Sequence, residues 1–212
     1  MTINGTEVID KSNVIENLGL RNSVELELGC GPNKKKCTSI GIDAIDFDGV
    51  DLLGDIFEIL KLFPNSSVDA VYAYHFIEHI ENIESLLTEL LRVIKPGGAI
   101  EFVAPHYSNP YFYSDPTHKR FFGLYTFCYL AESKIFKRTV PNYSKVKDLE
   151  LIDVKLNFKS SKYFPIRYAL KYLVGMVVNA TNYSKEFYEE NLCYLVPCYE
   201  VVYRLKSNKP YD

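Results

Sequence analysis

The chain has 212 residues, 47% of them hydrophobic, with 24 basic and 27 acidic side chains and a formal net charge of −3. That length allows one well-buried core with an appendage, and no window reaches the roughly 18 apolar residues of a membrane span. No basic start leads into a long apolar run, and five scattered cysteines (Cys30, Cys37, Cys128, Cys193, Cys198) match neither a disulfide framework nor paired zinc knuckles, so a cytoplasmic protein without stable membrane insertion is expected.

The two halves differ. Residues 1–106 carry 8 basic and 17 acidic side chains, whereas residues 107–212 carry 16 and 10. The second half also holds 23 of the 30 aromatic residues, while 9 of the 11 glycines lie at or before Gly98. A turn-rich scaffold is expected first and an aromatic, basic surface or lid second, suited to an anionic or ring-bearing partner.

In chain order, residues 24–28 (VELEL) alternate and end at glycines. Residues 39–45 and 50–56 are β-like and end in acidic residues, and residues 68–74 (VDAVYAY) read as a buried strand. Ile80, Ile83, Leu86, Leu87, Leu90, Leu91 and Ile94 recur at helical steps, which predicts a helix over 80–94. The string KPGG stops it and returns the chain to a strand at 99–104. Strand, helix, turn and strand make a βαβ unit, which requires a parallel sheet. Residues 107–148 are irregular and rich in Pro, Asn and aromatics, as in a lid or binding loop, with a short helix expected around 124–132. Strands at 149–157 and 199–205 and a helix over 166–180, read as a core helix ahead of one resting on a membrane surface or a partner, complete the reading. The link between Gly31 and the strand at Ser39 is too short for a crossover helix.

The loop ELGCGP, Glu27 to Pro32, follows the first strand, where parallel sheets bind ligands. Glycine lets the backbone approach a ligand closely. The string G-C-G-P-N-K lacks the third glycine of a dinucleotide fingerprint, so pyrophosphate binding is not supported. Glu27 would repel a phosphate but accept from an ammonium group. Asp43 suits ribose hydroxyls, and Asp55 suits an adenine amino group.

Together, VELELGCGP, Asp43, GDI, DAVYAYHFIEHI and LLRVIKPGGAIEFVAP resemble the class I S-adenosylmethionine-dependent methyltransferases, especially the small methyltransferase-11-like members of bacteria and archaea. The resemblance covers residues 23–106. It implies an α/β, Rossmann-like, seven-stranded and mostly parallel sheet with helices on both faces and an antiparallel last strand, here with the aromatic insert. It also implies S-adenosylmethionine as cofactor. Glu27, Gly29, Cys30 and Gly31 would lie by its methionyl part and Asp43 on its ribose. Asp55 and Ile56 would hold its adenine, and Tyr74 and His75 would line the wall near the sulfonium.

The four histidines are His75, His79, His106 and His118, and His75, Glu78 and His79 form H-x-x-E-H. Three readings stay open. One histidine, with Asp115 or Glu78 beside it, is a general base. Alternatively, His75, Glu78 and His79 hold a divalent metal, which is the less favoured reading. Or Glu78 and His79 only cap and orient a helix. A zinc peptidase would need the motif in mid-helix, whereas here it straddles a strand end. The expectation is one methyltransferase domain over 1–212: a core at 23–106, a lid at 107–148 and C-terminal strands and helix at 149–212. Its base would be His106 or His118, helped by His75 and Glu78. The acceptor would be a hydroxyl or amine of a sugar, nucleotide-sugar or other small anionic metabolite. The protein would be a monomer or homodimer that does not bind DNA. Alternatives are a S-adenosylmethionine-binding protein without transferase activity and a metal-assisted RNA methyltransferase.

Overall fold

The computed structural model describes residues 2–3, 6–144 and 146–210. Its strands and helices are β1 (Thr2–Ile3), β2 (Thr6–Glu7), β3 (Ile9–Asp10), β4 (Glu25–Leu28), β5 (Ile40–Asp43), β6 (Leu52–Leu53), α1 (Ile56–Lys61), β7 (Val68–Tyr74), α2 (Ile83–Val93), β8 (Ile94–Pro105), β9 (Leu149–Asn157), α3 (Pro165–Val178), α4 (Asn182–Asn191) and β10 (Glu200–Ser207). β1 and β2 form a small antiparallel pair. The other eight strands form one sheet in the order β3-β6-β5-β4-β7-β8-β10-β9. β6, β5, β4, β7 and β8 run parallel. The last strand, β10, is antiparallel to both neighbours. The seven strands expected from the sequence are all present, and β3 adds an antiparallel edge beside β6.

One face of this sheet is apolar. Leu26, Leu28, Ile42, Val71, Phe102 and Tyr203 are fully buried there and pack with α1, α2 and the insert. α2 contributes Ile83, Leu86, Leu87, Leu90, Leu91 and Val93 to that core, each side chain adding roughly 1.5–3 kcal/mol on burial. The helix starts later than its apolar stripe predicts. Asn82 caps it through Ser85 N at 3.0 Å, and the H-x-x-E-H segment forms a separate 3-10 turn, Ile77–His79. β8 follows α2 without a loop, and the KPGG residues bulge between the pairs Val68–Ile94 and Ala70–Ala99.

The opposite face differs from the expectation of helices on both sides. Tyr72 and Tyr74 lie there, parallel at 6.5 Å, beside Glu101, and Arg204 pairs with Glu101 at 3.1 Å. The cause is local: among the described residues, the crossovers β4–β5 and β5–β6 contain no α-helix, so no helix from those segments covers this face, where Lys36 Nζ instead lies 4.4 Å from the centre of the Tyr72 ring.

Two further expectations are corrected. Residues 124–132 form only a 3-10 turn, Thr126–Tyr129. α3 is not a core helix: Ile166 is 85% and Val177 69% exposed, and only Lys171 and Val178 are buried. Its apolar residues mostly face outward, and the helix packs beside β9 and α4. No helix among the described residues is long and apolar enough to cross a membrane.

Candidate active site

The tips of β5, β4 and β7 are adjacent, since Leu28 pairs with both Ile42 and Ala73. The glycine loop sits on the central tip. Gly29 and Gly31 both take left-handed backbone, φ +60° and +58°. Their surroundings differ. A Cβ on Gly29 would lie 2.5 Å from the Phe76 ring, whereas one on Gly31 would meet nothing within 4 Å. Gly29 therefore admits Phe76, and Gly31 faces open space. Asp43 ties the loop to β5: its Oδ2 accepts from Gly31 N at 2.9 Å and its Oδ1 from Ile45 N at 2.9 Å. Each oxygen keeps a lone pair, so the half-buried carboxylate can still receive a ribose diol.

Glu27 does not point at a ligand. It is 1% exposed, and its carboxylate accepts from Lys35 N and Lys36 N at 2.8 Å each. It braces the short β4–β5 crossover, which has no helix to satisfy those N–H groups, so the expected contact with an ammonium group is corrected. Asp55 caps α1 by accepting from Phe57 N and Glu58 N, and Ile56 is buried as the first residue of that helix. Cys30 is buried, and burial with the nearby Asp43 and Glu27 pushes its thiol up to about 11, so it stays protonated. The open flank of Gly31 and the spare lone pairs of Asp43 fit an adenosyl compound lying across the β4 and β5 tips.

Past β7 the chain turns sharply at His75, φ +55°, an unusual conformation for a residue with a Cβ. The ring is clamped. Its Nε2 lies 3.1 Å from Glu200 Oε2, and its Nδ1 lies 3.5 Å from Glu78 Oε1. The hydrogen bond to Glu200, then the longer ion-pair contact with Glu78, raises its pKa to about 9. Burial alone would raise Glu200, but hydrogen bonds from His75, Lys159 and Asn157 bring it down to about 2. His75 is thus an imidazolium at neutral pH: a donor and a positive charge, not the helping base expected. Tyr74 turns to the polar sheet face, and its hydroxyl reaches Glu101 at 3.4 Å.

His106 is also corrected. It is 0% exposed. Its Nδ1 accepts from Ser108 N at 3.1 Å, so its Nε2 carries the proton and donates to Glu189 Oε2 at 3.1 Å. Both nitrogens are committed inside the core, and no acceptor can reach them.

His118 reaches the β7 tip. The insert is stitched across the 77–81 turn by Lys119 N donating to Glu78 O at 2.8 Å and Arg120 Nε to Ile80 O at 3.0 Å; Arg120 also bonds Glu81 O. This brings the His118 and His79 rings to 4.9 Å between centroids. Thr117 Oγ1 donates to Asp115 Oδ1 at 2.6 Å and so accepts from His79 Nδ1 at 2.9 Å. His118 Nδ1 donates to Phe112 O at 2.9 Å. Both Nε2 atoms therefore carry lone pairs. Sequence reasoning missed Thr117, Glu189 and Glu200. The D-P-T-H string, with Asp two before Thr, was the one available signal for the first.

Two cavities flank this region. One, of about 530 Å³, lies beside Tyr74 and His75, with Lys35, Lys36, Lys159 and Arg204 on its walls. The other, of about 610 Å³, lies in the insert among Phe121, Phe122, Tyr125 and Tyr129.

Comparison with known proteins agrees with this geometry. A family model described as a methyltransferase domain matches residues 26–102, from β4 into β8. A sterol 24-C-methyltransferase from Yarrowia lipolytica is 29% identical over 128 residues, 54% of this chain and 31% of that protein. The chain spans less than a third of the length of the curated relatives that it matches. Its fold is shared with a SAM-dependent methyltransferase from Archaeoglobus fulgidus, with TM-score 0.59, 18% identity, and coverage of 93% of this chain and 92% of that one. It is also shared with Haemonchus contortus phosphoethanolamine N-methyltransferase 2 in complex with S-adenosyl-L-methionine, with TM-score 0.50, 13% identity, and coverage of 89% and 49%. Residues 26–102 thus match a methyltransferase domain, and the chain as a whole shares its fold with S-adenosylmethionine-dependent methyltransferases of known structure.

Proposed function

We propose that the chain transfers a methyl group from S-adenosylmethionine to an oxygen, or secondarily a nitrogen, of a small anionic acceptor such as a sugar acid, nucleotide-sugar or related metabolite. The names of its relatives span a sterol carbon and a phosphoethanolamine nitrogen, so likeness does not supply the acceptor atom. The observation that carries the reading is the basic cavity at the β7 tip. Its walls include Lys35 and Lys36, four and five residues after Gly31, and its four lysines and Arg204 outnumber Glu101 and Glu200, which suits a negative charge.

Bound S-adenosylmethionine supplies an electrophilic methyl group, so the protein mainly has to align acceptor and donor. Gly31 and Asp43 hold the adenosyl end. The His75 imidazolium, fixed by Glu78 and Glu200, lends a positive charge that helps to anchor the acceptor. The acceptor proton passes to an imidazole lone pair at the same tip, His118 Nε2 or His79 Nε2. The test is calorimetric titration with S-adenosylmethionine, followed by a labelled-methyl screen of anionic acceptors and their neutral counterparts. Micromolar cofactor binding and transfer to an anionic acceptor, with a KM that rises with salt, are expected. Absence of cofactor binding, or preference for the neutral counterparts, overturns the reading. Binding without any transfer would instead make the chain a cofactor-binding protein.

A further inference from the structure

Glu78 poses a physical problem. It is 1% exposed, and neither carboxylate oxygen has a hydrogen-bond partner. The nearest cationic group, His75 Nδ1, stands 3.5 Å from Oε1, and that ring is already bound through Nε2 to Glu200. A buried carboxylate without donors is costly to keep and is normally paired or bound to a metal. Beside it lie two imidazoles with matching needs. The hydrogen bonds from His79 Nδ1 to Thr117 and from His118 Nδ1 to Phe112 O leave both Nε2 atoms unprotonated, the tautomer that a metal ion requires. The ligand atoms of Glu78, His79 and His118 all lie within 4.8 Å of one another. In a formed tetrahedral site with metal–nitrogen bonds of about 2.1 Å, they would stand about 3.4 Å apart, so each pair has at most about 1.4 Å to close.

We propose that Glu78, His79 and His118 form a binding site for one divalent first-row transition ion of the zinc type. Two imidazoles and one carboxylate suit zinc, iron(II), cobalt(II) or manganese(II), and disfavour calcium and magnesium, which take oxygen ligands. Three protein ligands leave at least one position open, as in catalytic rather than structural zinc sites. The set differs from the H-x-x-E-H reading of the sequence: His75 is withdrawn to Glu200, and His118 arrives from the insert. Thr117, held by Asp115, and Phe112 O orient the two rings, and Asp115 Oδ2 lies 3.6 Å from His118 Nε2, beside the place of the ion. The ion would also pin the insert to the turn after β7. A bound ion takes both Nε2 lone pairs, so in the ion-loaded chain neither imidazole is the base; an acceptor oxygen taking the open position rests on the proposed methyl transfer, but binding of the ion does not.

The test uses the full chain, stripped with a chelator, desalted and titrated with Zn²⁺ by calorimetry and with Co²⁺ by visible absorption. One equivalent is expected to bind at micromolar Kd or tighter. Glu78→Gln and His118→Asn should each weaken it by about 100-fold or more, as a lost ligand costs at least what a lost outer partner does. His75→Gln should change it by less than about threefold. X-ray absorption of the zinc-loaded wild-type chain should count two imidazoles and no sulfur, and it needs no variant to fold. Absence of stoichiometric binding overturns the site, as does sulfur ligation through the exposed Cys37. Retention in His118→Asn with loss in His75→Gln also overturns it. A chain that binds the ion but methylates no acceptor refutes the proposed function and leaves the site standing.

Discussion

Nε2 of His75 lies 3.1 Å from Oε2 of Glu200, joining the tip of β7 to the start of β10 across the intervening β8. The two groups shift in opposite directions, His75 up to about 9 and Glu200 down to about 2. The stability contributed by His75 is complete below its ordinary value of 6.5 and fades as pH rises through about 9. That of Glu200 is complete above its ordinary 4.5 and fades as pH falls towards about 2. The pair therefore stabilises the fold most between those two ordinary values. An NMR titration of the His75 ring should show it charged at pH 7, and Glu200→Gln should bring its midpoint back towards neutrality. A midpoint already at the ordinary value in the wild type would refute the clamp.

The two loop glycines should separate under mutation. Gly29→Ala puts a methyl group on the Phe76 ring as well as straining the backbone, and should cost about 3 kcal/mol. Gly31→Ala meets open space, so only its φ is penalised, at about 1–2 kcal/mol. Urea unfolding ranks the two. Equal losses would mean that Phe76 does not pack where the structure has it.

His106 should behave as a core residue. His106→Ala leaves Glu189 without one of its donors, although Glu189 keeps Leu124 N at 2.7 Å, and it opens a cavity. A loss of about 2–4 kcal/mol is expected. Methyl transfer per folded molecule should stay within a few-fold of wild type once temperature is lowered to restore folding. A stable but inactive variant would return His106 to the chemistry.

Asp43 carries the test of the cofactor cradle. Asp43→Asn keeps an oxygen to accept from Gly31 N, so the loop holds its shape, but it removes the charge that receives the ribose hydroxyls. Calorimetry should show cofactor affinity falling by roughly 10- to 100-fold, the scale of hydrogen bonds to a charged group, with thermal stability changed by under about 1 kcal/mol. Unchanged affinity would remove Asp43 from the site.

Much of the fold was legible because its signals are local. VELEL before two glycines, VDAVYAY before a turn and the apolar stripe ended by KPGG each state an element within a few residues. Asp43 could be placed from spacing alone, since the β4–β5 crossover is short. The missing helices on one face were half visible in that same short crossover. α4 was not seen: NYSKEFYEEN carries little apolar periodicity, and it forms where Thr181 caps Ser184 N and Glu189 meets His106.

The sequence by itself determined the sheet and its glycine-loop edge, because alternation, turn chemistry and strand-tip residues act over short stretches. Only the tertiary structure decided which histidine does what. His106 looked available at a strand end until α4, 83 residues on, buried it against Glu189. His118 looked remote until the insert carried it to His79, while Glu200 drew His75 aside from a distance of 125 residues. A side chain's reactivity is set by the partners that folding brings to it, and those partners are not neighbours in the chain.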